Sequence, residues 1–132
     1  MRQAVFIGDG SRVAAVSDYN PVRIIDLASG DFVGEVAVST HGTFGGRVAA
    51  GGGLLFVSSR SEAVDAYDLE TLAVRYSLPG HSTDDSAFIA VSEAAGLVAT
   101  GTEFWAPERW QTRVRLWTLE TGREVGSFVS EG

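Results

Sequence analysis

Val114-Arg115-Leu116-Trp117-Thr118-Leu119-Glu120-Thr121-Gly122 joins a strand-like run to a short turn phrase that ends in glycine. Val, Leu and Trp suit a pleated, half-buried strand, and Gly tolerates the positive φ that tight turns require. The pattern occurs twice earlier in the chain. Val22-Arg23-Ile24-Ile25 leads into Asp26-Leu27-Ala28-Ser29-Gly30, and Ala63-Val64-Asp65-Ala66-Tyr67 leads into Asp68-Leu69-Glu70-Thr71-Leu72. The three turn phrases begin at positions 26, 68 and 118, so they lie 42 and 50 residues apart. A period of roughly 40–50 residues is that of a four-stranded blade. The eight-residue excess of the third unit falls in segment 103–110.

Turn signals between the apolar runs divide each unit into four strands. In the first unit the expected strands are 3–7, 12–17, 22–26 and 32–38, with Asp9-Gly10, Asn20-Pro21 and Ser29-Gly30-Asp31 as breaks. The second reads 47–50, 54–58, 63–68 and 73–78, turning first at Gly51-Gly52-Gly53. The third reads 87–91, 97–102, 113–118 and 124–129. No segment offers an amphipathic helix; 92–96 is too short. The expectation is an all-β chain of three four-stranded antiparallel blades, about twelve strands, with units near 1–38, 39–80 and 81–132.

Composition narrows the function classes. Hydrophobic residues make up 45% of the 132, and the net charge is −7. A chain of this length buries a real core. Its acidity argues against nucleic acid or an anionic membrane surface as partner, because both require a basic face. There is no cysteine, so disulfides, thiolate metal sites and a Cys nucleophile are excluded. This fits a cytoplasmic location. The first residues carry too short an apolar run for a signal peptide, and no run reaches membrane-spanning length.

The third unit carries a family resemblance. It opens on Leu78-Pro79-Gly80-His81, continues through Ala87-Phe88-Ile89-Ala90-Val91-Ser92 and Gly96-Leu97-Val98-Ala99-Thr100-Gly101-Thr102, and closes on Val114–Gly122. It resembles a WD repeat of the β-propeller family, with Trp117-Thr118 where that family has Trp-Asp. The resemblance implies a structural hydrogen-bonded set in which His81, a hydroxyl from Thr100 or Thr102, and Trp117 take part. The family's turn Asp is absent, its place taken by segment 103–110. The first two units have Ile25-Asp26 and Tyr67-Asp68 instead, and are equally similar to quinoprotein-like propeller repeats. The resemblance also implies that second turns and blade connections share one rim. That rim gathers Tyr19, His41, Phe44, Arg60, Asp84, Asp85, Phe104, Trp105, Arg109 and Trp110, a mixed-charge, aromatic set suited to a protein or peptide partner.

Catalytic constellations fail one by one. Gly51-Gly52-Gly53 lacks the Lys-Ser/Thr of a phosphate loop and leads into a strand. Ser58, Ser59 and Ser61 lack the Gly-x-Ser-x-Gly context. His81 with Asp84 and Asp85 has metal-ligand residue types, but adjacent aspartates point apart or solvate a loop, so neither metal nor cofactor is expected. Segment 103–110, with Phe104, Trp105, Arg109 and Trp110, has the composition of an interface hot spot; the alternative is that its tryptophans cover the blade edge. The leading expectation is an interaction scaffold rather than an enzyme. The other is a ligand-binding or catalytic propeller, quinoprotein- or lactonase-like, whose axial site forms only after assembly.

One consequence concerns closure. Propellers close rings of four to eight blades. Val13-Ala14-Ala15-Val16 and Leu54-Leu55-Phe56-Val57 do not alternate apolar with polar residues, so both sheet faces expect cover. Three blades leave two faces open, which implies an incomplete or assembly-dependent propeller: self-association or additional blades.

Overall fold

The computed structural model of the chain describes residues 3–16, 22–36, 48–58, 64–79 and 87–131. They form β1 (Gln3–Ile7), β2 (Arg12–Val16), β3 (Val22–Asp26), β4 (Phe32–Val36), β5 (Val48–Gly51), β6 (Leu54–Ser58), β7 (Val64–Asp68), β8 (Val74–Leu78), β9 (Ala87–Ser92), β10 (Leu97–Ala106), β11 (Arg109–Thr118) and β12 (Glu124–Glu131), with no helix among the described residues. These twelve strands make three four-stranded antiparallel sheets, each an up-and-down meander of consecutive strands. The first strands of successive sheets touch, β1 with β5 and β5 with β9. These are propeller-like blades, and they form no closed ring among the described residues.

The recurring turn phrase closes on the same backbone bond in each blade, Gly30 N–H to Asp26 O, Leu72 N–H to Asp68 O and Gly122 N–H to Thr118 O, while its side-chain support differs in the third. In the first, Asp26 Oδ1 accepts from the N–H groups of Ala28 and Ser29, at 2.9 and 3.1 Å. In the second, Asp68 Oδ1 accepts from Glu70 and Thr71, at 2.8 and 3.3 Å. Asp side chains bond the backbone two and three residues on, which nucleates the turn. In the third blade the Thr118 hydroxyl instead shares a hydrogen bond with that of Thr121 at 2.6 Å and accepts from the N–H of Arg123 at 3.2 Å. The last residue of each phrase has positive φ: Gly30 at 75°, Leu72 at 60° and Gly122 at 72°. A one-residue bulge on the fourth strand follows every time, at Ile24/Ile25, Ala66/Tyr67 and Leu116/Trp117. The identical bulge aligns the three blades residue by residue.

The core lies between blades. Ile7, Ala14, Val22, Ile24 and Val36 of the first meet Val48, Leu55, Val57, Tyr67 and Leu69 of the second. Leu54, Phe56, Val64, Ala66 and Leu78 of the second meet Val98 and Trp117 of the third. The run Leu54–Val57 is therefore buried throughout because its two faces are covered by different neighbours.

The third blade corrects one expectation. The strands expected at 97–102 and 113–118 do not leave segment 103–110 as a loop: β10 and β11 continue through it in unbroken register, from Leu97↔Thr118 to Ala106↔Arg109. Phe104, Trp105, Trp110 and Thr112 favour strand, and Pro107 presets φ for a two-residue turn with Glu108 at φ 79°. The excess residues lengthen a hairpin.

Candidate functional site

Trp117 stands on β11, facing the second blade. Its indole Nε1 donates to Thr100 Oγ1 at 2.9 Å, and both residues are buried. Val98 is the register partner of Trp117, so Thr100 lies one step along the same face of β10. Thr102 is the next residue on that face, paired with Ala87 and Arg113. The Arg115 guanidinium stacks on the Trp117 ring, 4.5 Å from its centroid. Its Nη1 donates to the Pro79 carbonyl at 2.8 Å and its Nε to Glu124 Oε2 at 2.7 Å. Tyr76 completes the seam: its hydroxyl donates to the Leu119 carbonyl at 2.6 Å, and burial raises its pKa above the ordinary 10.0. This arrangement joins blade to blade. Arg115 and Tyr76 were not singled out by sequence, because the backbone carbonyls they reach lie in another blade.

The β10–β11 hairpin is the candidate contact element. β9 reaches only the pair Thr102↔Ala87, and β12 reaches Gln111↔Glu131. Among the described residues, 105 and 106 lie beyond both and have β11 as their strand partner, with Trp105 directly opposite Trp110 and Ala106 opposite Arg109. A two-stranded ribbon thus projects from the blade. Arg109 is exposed, and Trp110 is 54% exposed. Trp110 shares a face with Thr112 and Val114 by strand alternation, which is the face turned away from the second blade. The Phe104 and Trp105 side chains lie outside the described residues, as do Tyr19, His41, Phe44, Arg60, His81, Asp84 and Asp85. The structure therefore brings Arg109 and Trp110 together at one ribbon tip.

The opposite rim carries two open clefts that sequence reasoning missed. One, of about 610 Å³, lies between the first two blades and is lined by Arg12, Asp68, Glu70 and Arg75 among others. The other, of about 450 Å³, lies between the second and third and takes in Arg75, Thr118 and Glu120. Arg75, the bulge residue of β8, borders both. Cations and anions are interspersed, so neither cleft has the single-sign field that draws a charged ligand.

No family model matches the sequence, and no curated protein matches it. Solved structures do resemble the fold. The computationally designed Ika4 protein aligns with a TM-score of 0.66 at 15% identity, over 92% of this chain and 69% of that one. The computationally designed Ika8 protein aligns at 0.68 and 14%, over 93% of this chain and 36% of that one. A chain of the Mitotic Checkpoint Complex aligns at 0.64 and 18%, over 95% of this chain and 51% of that one. The chain thus spans between about a third and two-thirds of the length of these structures, and at such identities the likeness is one of all-β, repeat-like fold.

Proposed function

We propose that this chain is a protein-interaction β-propeller segment of WD-repeat type, which binds a protein or peptide partner through the rim that carries the β10–β11 ribbon. The projecting ribbon carries the proposal: an exposed Trp110 beside Arg109, raised on two strands beyond the reach of β9. Trp and Arg are the residue types that dominate binding hot spots. The buried Trp117–Thr100 hydrogen bond supports the WD-type reading of the third blade. The similar chain in the Mitotic Checkpoint Complex belongs to an assembly of proteins, which is compatible with this role. No catalytic role is assigned.

The test replaces Trp105 and Trp110 together by Ala. Proteins cross-linked to the wild-type chain in cells are identified, one is purified, and its affinity is measured against both forms. The double variant is expected to bind at least about 2 kcal/mol more weakly, with its melting temperature unchanged. A large fall in melting temperature with affinity retained would show that the tryptophans cover the blade edge instead.

A further inference from the structure

Each blade has a leading face, turned toward the blade that follows it, and a trailing face, turned toward the blade before. The shared bulge aligns the faces position by position. At both internal junctions a bulky side chain enters a slot left by a small one, and the roles alternate. At the inner strands, Ile7 on the first leading face packs in one cluster with Ala50 of the second blade. The next junction reverses the sizes: a Cβ on Gly51 would stand 2.5 Å from Val91 Cγ1. At the outer strands, a Cβ on Gly34 would stand 2.7 Å from Leu72 Cδ1, and Gly122 lies under the Tyr76 ring.

Among the described residues, two faces remain unmated. On the third leading face, Phe128 holds the position of Val36 and Leu78. It is 54% exposed where they are 1% and 0% exposed. On the first trailing face, Leu27 holds the position of Leu69 and is 50% exposed where Leu69 is 8% exposed. Phe6, Val13, Ile25 and Phe32 stand directly opposite one another in a row across that face.

We propose that the third leading face receives the first trailing face of a second copy of this chain, head to tail, closing a ring of six blades, three from each copy. A heterologous contact of this kind closes when its rotation permits, and six lies within the propeller range. The inference rests on the junctions and not on the ribbon reading above. Size matching continues at the inner strands, where bulky Phe6 holds the position of Ala50 and Val91 and would meet Ser92, which holds that of Ile7 and Gly51. Polar matching continues as well. Arg23 holds the position of Arg115; it stacks on Phe32, 4.9 Å from the ring centroid, and pairs with Glu35 at 3.7 Å. Arg115 reaches the Pro79 carbonyl across its junction. The residue in the place of Pro79 on the third blade is Val129, so Arg23 would donate to the Val129 carbonyl of the second copy. At the outer strands the two positions are Gly126 and Gly30, and a Cβ added at either would meet nothing within 4 Å. That slot is empty of side chain on both sides.

The empty slot supplies a gain-of-function test. Gly126→Tyr places a ring where Tyr76 has one, to lie over Gly30 and donate to the Leu27 carbonyl of the second copy. Light scattering and sedimentation of the 132-residue chain at micromolar concentration should show twice 14.0 kDa. Gly126→Tyr should lower the dissociation constant about tenfold or more. Phe6→Arg and Phe128→Arg, both at exposed positions, should each give a folded 14.0 kDa species by circular dichroism and mass. An equimolar mixture of the two should regain dimer, because one junction in the mixed pair carries neither change. A wild-type chain that stays at 14.0 kDa overturns the proposal. So does a dimer that dissociates with only one of the two Phe variants, which marks a face-to-same-face contact, and so does Gly126→Tyr without effect.

Discussion

The Trp117 indole donates to the Thr100 hydroxyl inside the seam between the second and third blades, at 2.9 Å and out of reach of water. A hydrogen bond in such a place contributes modestly when formed and costs more when one partner is removed. Thr100→Val keeps the shape and strands the indole N–H, so it should lower stability by about 1–3 kcal/mol. Thr100→Ser keeps the acceptor and should recover most of that loss. Urea melts of the three proteins decide the matter; equal midpoints for Val and wild type would mean that the indole N–H finds another acceptor.

Backbone conformation gives two substitutions of opposite sign. Glu108 has φ 79° at the second residue of its turn, where Gly is preferred. A left-handed conformation costs a non-glycine residue about 1–2 kcal/mol, and Gly returns about 0.5–1 of that as chain entropy. Glu108→Gly should therefore stabilise by about 0.5–1 kcal/mol. Gly122→Ala should destabilise by more than about 1–2 kcal/mol, since its methyl group also meets the Tyr76 ring. Gly30→Ala, at φ 75° with nothing within 4 Å, isolates the backbone part. Equal melting temperatures for the two Ala variants would mean that the Tyr76 ring moves aside at no cost.

Alkaline pH should loosen the seams around the second blade. Burial raises the pKa of Tyr76, and burial followed by the charge of Asp65 raises that of Tyr67. A folded-state value above the unfolded 10.0 means that the fold favours the neutral phenol. Stability from this source is complete below pH 10 and falls as pH rises through the folded values. Tyr76 also loses the proton it donates to Leu119. Tyr76→Phe should cost about 1 kcal/mol at neutral pH and shrink the alkaline decline. Thermal melts from pH 7 to 11 for both forms provide the check, and an undiminished decline in the variant would assign the effect to Tyr67.

The strand count was legible in sequence because the apolar runs are short and the turn phrases repeat. Leu54-Leu55-Phe56-Val57 announced a doubly covered strand, and its four side chains are buried. The extension of β10 and β11 was not legible. Pro107 and Glu108 with flanking charges read as a loop, and only the unbroken register shows that both sides of that turn remain paired. The Trp117–Thr100 pair was reached through resemblance, which left Thr102 as an equal choice; the geometry selects Thr100. The rim residues Tyr19, His41, Phe44, Arg60, Asp84 and Asp85 lie outside the described residues, so of the proposed rim only the ribbon can be compared. The exchange of sizes between blades escaped sequence reading altogether. Gly34 and Leu72, or Tyr76 and Gly122, are tens of residues apart, and nothing local marks them as partners.

That exchange governs how such a chain can be rearranged by recombination. Tandem duplication of the second blade would set Tyr76 against Leu72, two bulky groups in a slot made for one. Duplication of the third would set Gly126 against Gly122, and deletion of the second would set Gly34 against Gly122; both leave a hole. Blades that look like copies of one unit are therefore not interchangeable parts. Their order along the chain matters to packing, and a crossover between units costs stability unless a compensating side chain arrives with it.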